Sequence, residues 1–152
     1  MTDHDPLPPE GQGRPDPDAF GRGLARGLGI NLLVHDVETV ARFQARVLGA
    51  EVRYWDRDFA ILTAEGATWM LHHDRTYRDH PLGGIARAAE GRGAGAEFRL
   101  YGRDPDVAEA EARALDGVVL AGAADKPHGL REAYILDPEG YLWVPGIPVW
   151  LD

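Results

Sequence analysis

Apolar and polar positions along this chain follow two periods, and the two recur in the same order twice. Residues 30–35 (Ile-Asn-Leu-Leu-Val-His) read as a strand bounded by Gly29 and Asp36. Asp36 suits a helix N-cap, because its carboxylate can accept from the free amides of a first turn. Val40, Phe43, Val47 and Leu48 then fall at i, i+3, i+7 and i+8, on one face of a helix. Gly49 ends it at the position where a positive φ costs glycine least. Residues 51–55, 59–64 and 68–73 read as three more strands, joined by Asp56-Arg57-Asp58 and by a Glu65-Gly66 turn.

The order restarts at residue 96. Residues 96–101 read as a strand, Asp104 as a cap and Pro105 as the first helical residue, where its missing N–H costs nothing. Val107, Ala110, Ala114 and Leu115 are expected to form the apolar face, with Gly117 as the stop. Residues 118–121, 133–136 and 141–144 are the remaining strands, the last two joined by Asp137-Pro138-Glu139-Gly140. Asp36 to Gly49 and Asp104 to Gly117 are both intervals of 13 residues. From helix stop to Glu-Gly turn the intervals are 17 and 23, so the second copy carries six extra residues, placed at 123–131. A repeat of one supersecondary unit organises the whole chain. The expected fold is α+β: two tandem βαβββ modules forming a curved mixed sheet with an inner cleft and the helices outside.

The bounds follow. Residues 1–27, rich in Pro, Asp and Gly, are expected to be a mobile tail, with a weak helical turn at 20–26. Residues 28–74 are the first module and 95–147 the second. Residues 75–94 are a charged, Gly-rich connector with a short helix near 85–90, and 148–152 are a terminal tail. No apolar run approaches 18 residues, so no membrane span is expected, and the N-terminus lacks the basic and apolar regions of a secretory signal. There is no cysteine, which excludes disulfides, thiolate metal sites and a Cys nucleophile and suits a reducing cytoplasm. A net charge of −9 argues against nucleic acid and anionic membranes as partners.

Three segments resemble the vicinal oxygen chelate superfamily of glyoxalases, fosfomycin-resistance transferases, extradiol dioxygenases and bleomycin-resistance proteins. Val34-His35-Asp36 with residues 41–49 is similar to that family's Asp…Phe-Tyr…Leu-Gly motif, with Gln44 where Tyr is usual. Pro127-His128-Gly129-Leu130-Arg131-Glu132 is similar to the Pro-Trp-Gly-x-Arg-Glu of bleomycin-resistance proteins. Asp137-Pro138-Glu139-Gly140-Tyr141 is similar to the family's Asp-Pro-Asp/Glu-Gly turn. The resemblance covers residues 28–147 and implies a divalent metal in catalytic members, held by His and Glu side chains on the inner faces. Carried over by position, those ligands fall at Gly29, near Met70, at Ala96 or Glu97, and at Val144. An ion needs three or more N or O ligands, so no family-type metal site and no cofactor are expected. A rearranged trio, His35, His72 and Glu97, is the alternative.

What remains is a pocket on the inner face, with Asn31, Leu33, Trp55, Thr68, Met70, His72, Glu97, Arg99, Tyr101, Leu142 and Val144 as its candidates. Trp69 and Trp143, on the opposite strand faces, are expected to pack under the helices, and Arg131-Glu132 to anchor the long loop. The leading expectation is a metal-free homodimer of bleomycin-resistance type that binds a small aromatic or cationic molecule. The alternatives are a metal-dependent lyase, isomerase or transferase, and an interaction module without a ligand.

Overall fold

The structure is a computed structural model that describes residues 4–150 of the 152-residue chain. A short helix α1 (Pro17–Arg22) precedes β1 (Ile30–Val34), α2 (Val37–Leu48), β2 (Glu51–Trp55), β3 (Phe59–Ala64) and β4 (Ala67–His73). A 3-10 turn (Asp74–Tyr77) and α3 (Pro81–Ala88) make the connector. The second module is β5 (Glu97–Tyr101), α4 (Pro105–Ala114), β6 (Val118–Asp125), β7 (Leu130–Leu136) and β8 (Leu142–Pro148). The sheets have orders β1-β4-β3-β2 and β5-β8-β7-β6, with the first pair of each parallel and the rest antiparallel. Two copies of one βαβββ unit therefore build the α+β fold, with helices on the outside.

Local chemistry explains most boundaries. Asp36 Oδ1 accepts from Thr39 N and caps α2, which ends at Gly49 with φ +66°. Asp104 caps α4 with Pro105 behind it. Glu65 (φ +50°) and Gly66 (φ +76°) form a two-residue turn between paired Ala64 and Ala67, the left-handed geometry a tight hairpin needs. The end of α4 departs from the expectation. Asp116, not Gly117, takes the positive φ, at +54°. Gly117 serves close packing instead, since a Cβ there would lie 2.9 Å from the Phe43 ring on α2. The buried face of α4 is also shifted: Pro105, Ala108 and Ala112 are buried, whereas Val107 is exposed. Small residues let α4 lie close against α2, and that contact outweighs the larger apolar side chains.

The extra residues of the second module lengthen two strands rather than forming a loop. β6 reaches Asp125 and β7 begins at Leu130, around a turn closed by Gly129 N donating to Lys126 O at 3.1 Å. Arg131 anchors this hairpin to α4 and β6 through Asp106 (2.7 Å) and Asp125 (3.0 Å).

One core serves both modules. Leu32, Val34, Leu62, Trp69 and Leu71 of the first sheet meet Leu100, Ala133, Ile135 and Trp143 of the second under α2 and α4. Trp69 and Trp143 lie 5.1 Å apart by ring centroid. Their indole N–H groups end in one buried network. Trp69 Nε1 donates to Gln44 Oε1 at 2.8 Å, and Gln44 Nε2 donates to Asp137 Oδ2 at 3.1 Å. Trp143 Nε1 donates to the same oxygen at 3.1 Å. Asp137 Oδ1 accepts from the amides of Glu139 and Tyr141, each at 3.0 Å. Gln44 thus gives one amide group to each module, which a tyrosine at this position could not do. Burial outweighs the four donors and holds the Asp137 carboxyl above its ordinary value.

A second junction lies at the surface end of this seam. Arg92 of the connector pairs through both terminal nitrogens with Asp74, and its Nη2 lies 3.2 Å from His35 Nε2. His35 Nδ1 is 2.8 Å from Glu139 Oε2 in the other module, whose second oxygen takes the His35 amide. The Arg92 guanidinium holds the Asp74 carboxyl below its ordinary value.

Part of the N-terminal segment 1–27, of which residues 1–3 lie outside the described residues, packs against the first module. Leu7 is buried in the core, Trp55 Nε1 donates to Pro8 O at 2.6 Å, and Gly11 N donates to Trp55 O at 2.9 Å. These contacts hold the segment at the last residue of the edge strand β2. The Pro-rich composition hid them, because a segment that pairs with an edge needs no apolar period of its own.

Two outcomes check these junctions. Gln44→Leu leaves the Trp69 N–H and an Asp137 lone pair without partners and should cost about 2–4 kcal/mol in denaturant unfolding. Asp137→Asn, nearly isosteric, turns a donor toward two donors and should cost about 2–3 kcal/mol; a neutral result for either would contradict the network. Asp74 supplies stability that is complete above its ordinary pKa of 3.8 and is lost as pH falls through its lowered folded value. Asp74→Asn should therefore destabilise at pH 7 and progressively less below pH 3.8. A loss independent of pH would contradict the pairing with Arg92.

Candidate functional site

Strand alternation sorts each sheet into a core face and an inner face. On the first sheet the inner face carries Asn31, Leu33, Tyr54, Phe59, Ile61, Thr63, Thr68, Met70 and His72; on the second it carries Glu97, Arg99, Tyr101, Val118, Leu120, Glu132, Tyr134, Leu142 and Val144. The repeat fixes which positions correspond. Met70 and Val144 each stand four residues after a Glu-Gly turn, and the parallel pairs put Asn31 beside Met70 and Arg99 beside Val144. Of the counted positions, Met70 and Val144 therefore lie on the inner faces beside Asn31 and Arg99. Gly29 precedes β1, and Glu97 pairs with Leu142.

Those four side chains do not fit a divalent ion. They offer an amide, a thioether, a guanidinium and an isopropyl group, and the guanidinium repels a cation. The alternative trio is not brought together either. His35 is taken up by Glu139 and Arg92 at the module junction. His72 lies between Phe59 and Tyr77, at 6.0 and 5.3 Å by ring centroid. Burial lowers its pKa, and its Nε2 has no hydrogen-bond partner. Glu97 lies on the second sheet, where Arg99 Nη1 donates to it at 3.1 Å. Among the described residues, no three His, Asp or Glu side chains are placed to hold a metal ion.

The sheet has a gap where β1 stops short. Its first residue, Ile30, pairs with Trp69, so Ala67 and Thr68 of β4 have no neighbour on that side. The preceding chain turns away at Gly27, with φ +136°. A cavity of about 690 Å³ opens there between the modules. Trp69, Phe98, Leu100 and Trp143 form its inner wall, Thr68, Glu97 and Arg99 one rim, and Leu24 to Ile30 the other. Volume and mixed lining match a small-ligand site.

Arg99 is held firmly at that rim. Its Nε donates to Tyr101 Oη at 3.0 Å, and its Nη2 donates to Glu132. Glu132 is fully buried on the inner face and also meets His128 Nε2 at 3.1 Å and the Tyr134 hydroxyl at 3.2 Å. Tyr101 and Glu97 hold the Arg99 guanidinium above its ordinary pKa. Replacing Arg99 would leave the buried Glu132 carboxylate with only His128 and Tyr134 as partners.

Of the residues singled out by sequence, the structure gathers Thr68, Glu97 and Arg99 in this cavity. Asn31 and Leu33 line another, of about 320 Å³, under α3 with Leu82 and Ile85. Thr68 also borders a space of about 500 Å³, where Phe20 and Leu24 roof Tyr54 and Ile61. Met70, His72, Tyr101, Leu142 and Val144 lie on the inner faces outside these cavities. Trp55 is not a pocket residue: a β-bulge between Val52 and Tyr54 turns it into the core, where Pro8 holds its N–H. Sequence reasoning missed Arg26 and Leu28, which have no periodicity to mark them, and Ile30, which strand alternation puts on the core face. It also missed Glu132 as a buried charge, although Glu132 belongs to the quoted Arg-Glu pair.

A scan of the sequence against protein-family models gives no match, and neither does a search of curated protein sequences. Solved structures do match. A glyoxalase-related enzyme from Fulvimarina pelagi aligns with a TM-score of 0.64 at 20% identity, over 82% of this chain and 88% of that one. A glyoxalase/bleomycin resistance protein/dioxygenase from Nocardioides aligns at 0.61 and 22% identity, over 87% and 92%. A member of the same description from Burkholderia phytofirmans PsJN aligns at 0.64 and 15%, over 80% and 97%. Likeness at this identity is a likeness of fold. The chain has the vicinal oxygen chelate fold of the glyoxalase, bleomycin-resistance and dioxygenase structures.

Proposed function

We propose that this protein binds a small aromatic molecule, without a metal ion, in the cavity between its two modules. The observation that carries the reading is the cavity of about 690 Å³ at the gap beside β1, walled by Trp69, Phe98, Leu100 and Trp143. Flat apolar surface favours a flat ligand. The donor set at the counted positions Met70 and Val144 and at their strand neighbours Asn31 and Arg99 supports binding rather than Lewis-acid chemistry. The names of the Nocardioides and Burkholderia phytofirmans structures include bleomycin resistance beside glyoxalase and dioxygenase, so a binding role is among those they cover. A homodimer accompanies the proposal, because Tyr101, Val118 and Leu120 leave an apolar face of the second sheet exposed.

Elemental analysis of dialysed protein should find no stoichiometric divalent ion, and added divalent ions should leave Tm unchanged. An ion retained after dialysis and lost in His72→Ala and Glu97→Ala would contradict the metal-free reading. An aromatic ligand bound in the cavity should raise Tm, by about 2.7 kcal/mol in stability at 100 times its Kd. Thr68→Trp and the milder Ala67→Phe narrow the cavity and should abolish that rise while the circular dichroism spectrum stays native. Undiminished binding in both would place the ligand elsewhere. Solution mass should be twice that of one 16.6 kDa chain; a monomer at working concentration would remove the dimer.

A further inference from the structure

We infer that the ligand of this cavity is an anion, a flat aromatic ring carrying a carboxylate, and that Arg26 receives the charge. This rests on the cavity reading above and adds the sign of the ligand. The acidic chain as a whole suggests a cation, but the lining reverses that sign locally. Its charged side chains are Arg26, Glu97 and Arg99. Glu97 is paired with Arg99 at 3.1 Å, and Arg99 also pairs with the buried Glu132, so these three charges are engaged with one another. Arg26 makes no ion pair or hydrogen bond among the described residues and stands on the opposite rim, in the segment leading to Gly27 and Gly29. Arg26 is therefore the one charged side chain of the lining without a partner among the described residues, and it stands beside apolar walls. A carboxylate complements a guanidinium in charge and in its two-pronged hydrogen bonding.

The same segment supplies the means to close over such a ligand. Leu28 is 88% exposed and Leu24 49%, although both border the cavity. α1, just before them, buries no residue. The chain is pinned on one side at Trp55, by Pro8 and Gly11, and on the other at Ile30 in β1. Between these points Gly27 takes a φ of +136°, and a Cβ added at Gly27 or Gly29 would meet nothing within 4 Å. A tethered, glycine-bearing rim with an exposed leucine and an unpaired arginine can move inward, bringing Arg26 to the carboxylate and Leu28 to the ring. Arg99 is unsuited to that role, because Glu97, Tyr101 and Glu132 already occupy it.

The test uses three probes of one ring system: 1-naphthoate, 1-naphthylmethylammonium and 1-naphthalenemethanol, titrated calorimetrically into the full chain with EDTA present. Wild type should prefer naphthoate to the ammonium probe. Arg26→Gln should weaken naphthoate about threefold and Arg26→Glu about fivefold or more, the range of a partly exposed ion pair, with the neutral alcohol unchanged. Raising salt from 50 to 500 mM should weaken naphthoate alone. Equal or tighter binding of the ammonium probe, or a naphthoate affinity indifferent to Arg26→Glu, overturns the anion assignment and leaves the cavity standing. Failure of all three probes to bind, or binding that persists in Thr68→Trp, overturns the cavity reading and this inference with it.

Discussion

A single carboxylate, that of Asp137, ties this fold together. It sits in the turn of the second module, 4% exposed, and receives four N–H groups. Two are amides of its own turn, one is the Trp143 indole, and one comes from Gln44 on the helix of the first module. Gln44 in turn receives Trp69. Neither module can satisfy the network alone, and a buried polar group without partners is costly. The network therefore fixes how the two repeats meet. By fixing the two tryptophans it also fixes the inner wall of the cavity.

The repeat is exact enough to compare its two halves, and their differences point to function. Each Glu of a Glu-Gly turn reaches across to the end of the other module's first strand. Glu139 meets His35, and Glu65 lies where a Cβ on Gly102 would be only 2.6 Å from its carboxylate. Inner-face chemistry does not follow that symmetry. Residues 13–24 roof Tyr54 and Ile61 of the first sheet, α3 lies over Leu33, and all three are almost fully buried. The second sheet keeps Val118 and Leu120 exposed and buries a charge, Glu132, beneath Arg99. The open space is left at the seam, beside the short β1.

The fold was legible because its signals are local and repeated. The Asp36 and Asp104 caps, the equal helix intervals and the two Glu-Gly turns stand in the residues themselves. What escaped was what depends on a partner distant in sequence. Val107 reads as a buried position until α2 is seen to need the small Ala108 and Ala112. Gly117 reads as a helix stop until Phe43 is found against it. β6 was read only as far as Ala121; its second half, Gly122-Ala123-Ala124-Asp125, has no branched residue to mark a strand. At the site, Thr68, Glu97 and Arg99 were recoverable from strand alternation, whereas Arg26 and Leu28 belong to an irregular segment that no period describes. Trp55 was misplaced because a bulge reverses its face, and bulges leave no reliable trace in a single sequence.

The central claim is that a metal-independent small-molecule site lies between the modules, against Trp69 and Trp143. The most direct measurement follows the four tryptophan indole N–H resonances by NMR while 1-naphthoate is added in EDTA. The account predicts that the Trp69 and Trp143 signals move together and saturably, along with the backbone amides of Thr68 and Arg99, while those of Trp55 and Trp150 stay in place. Movement confined to Trp55 or Trp150, or movement that appears only when a divalent ion is supplied, would contradict it.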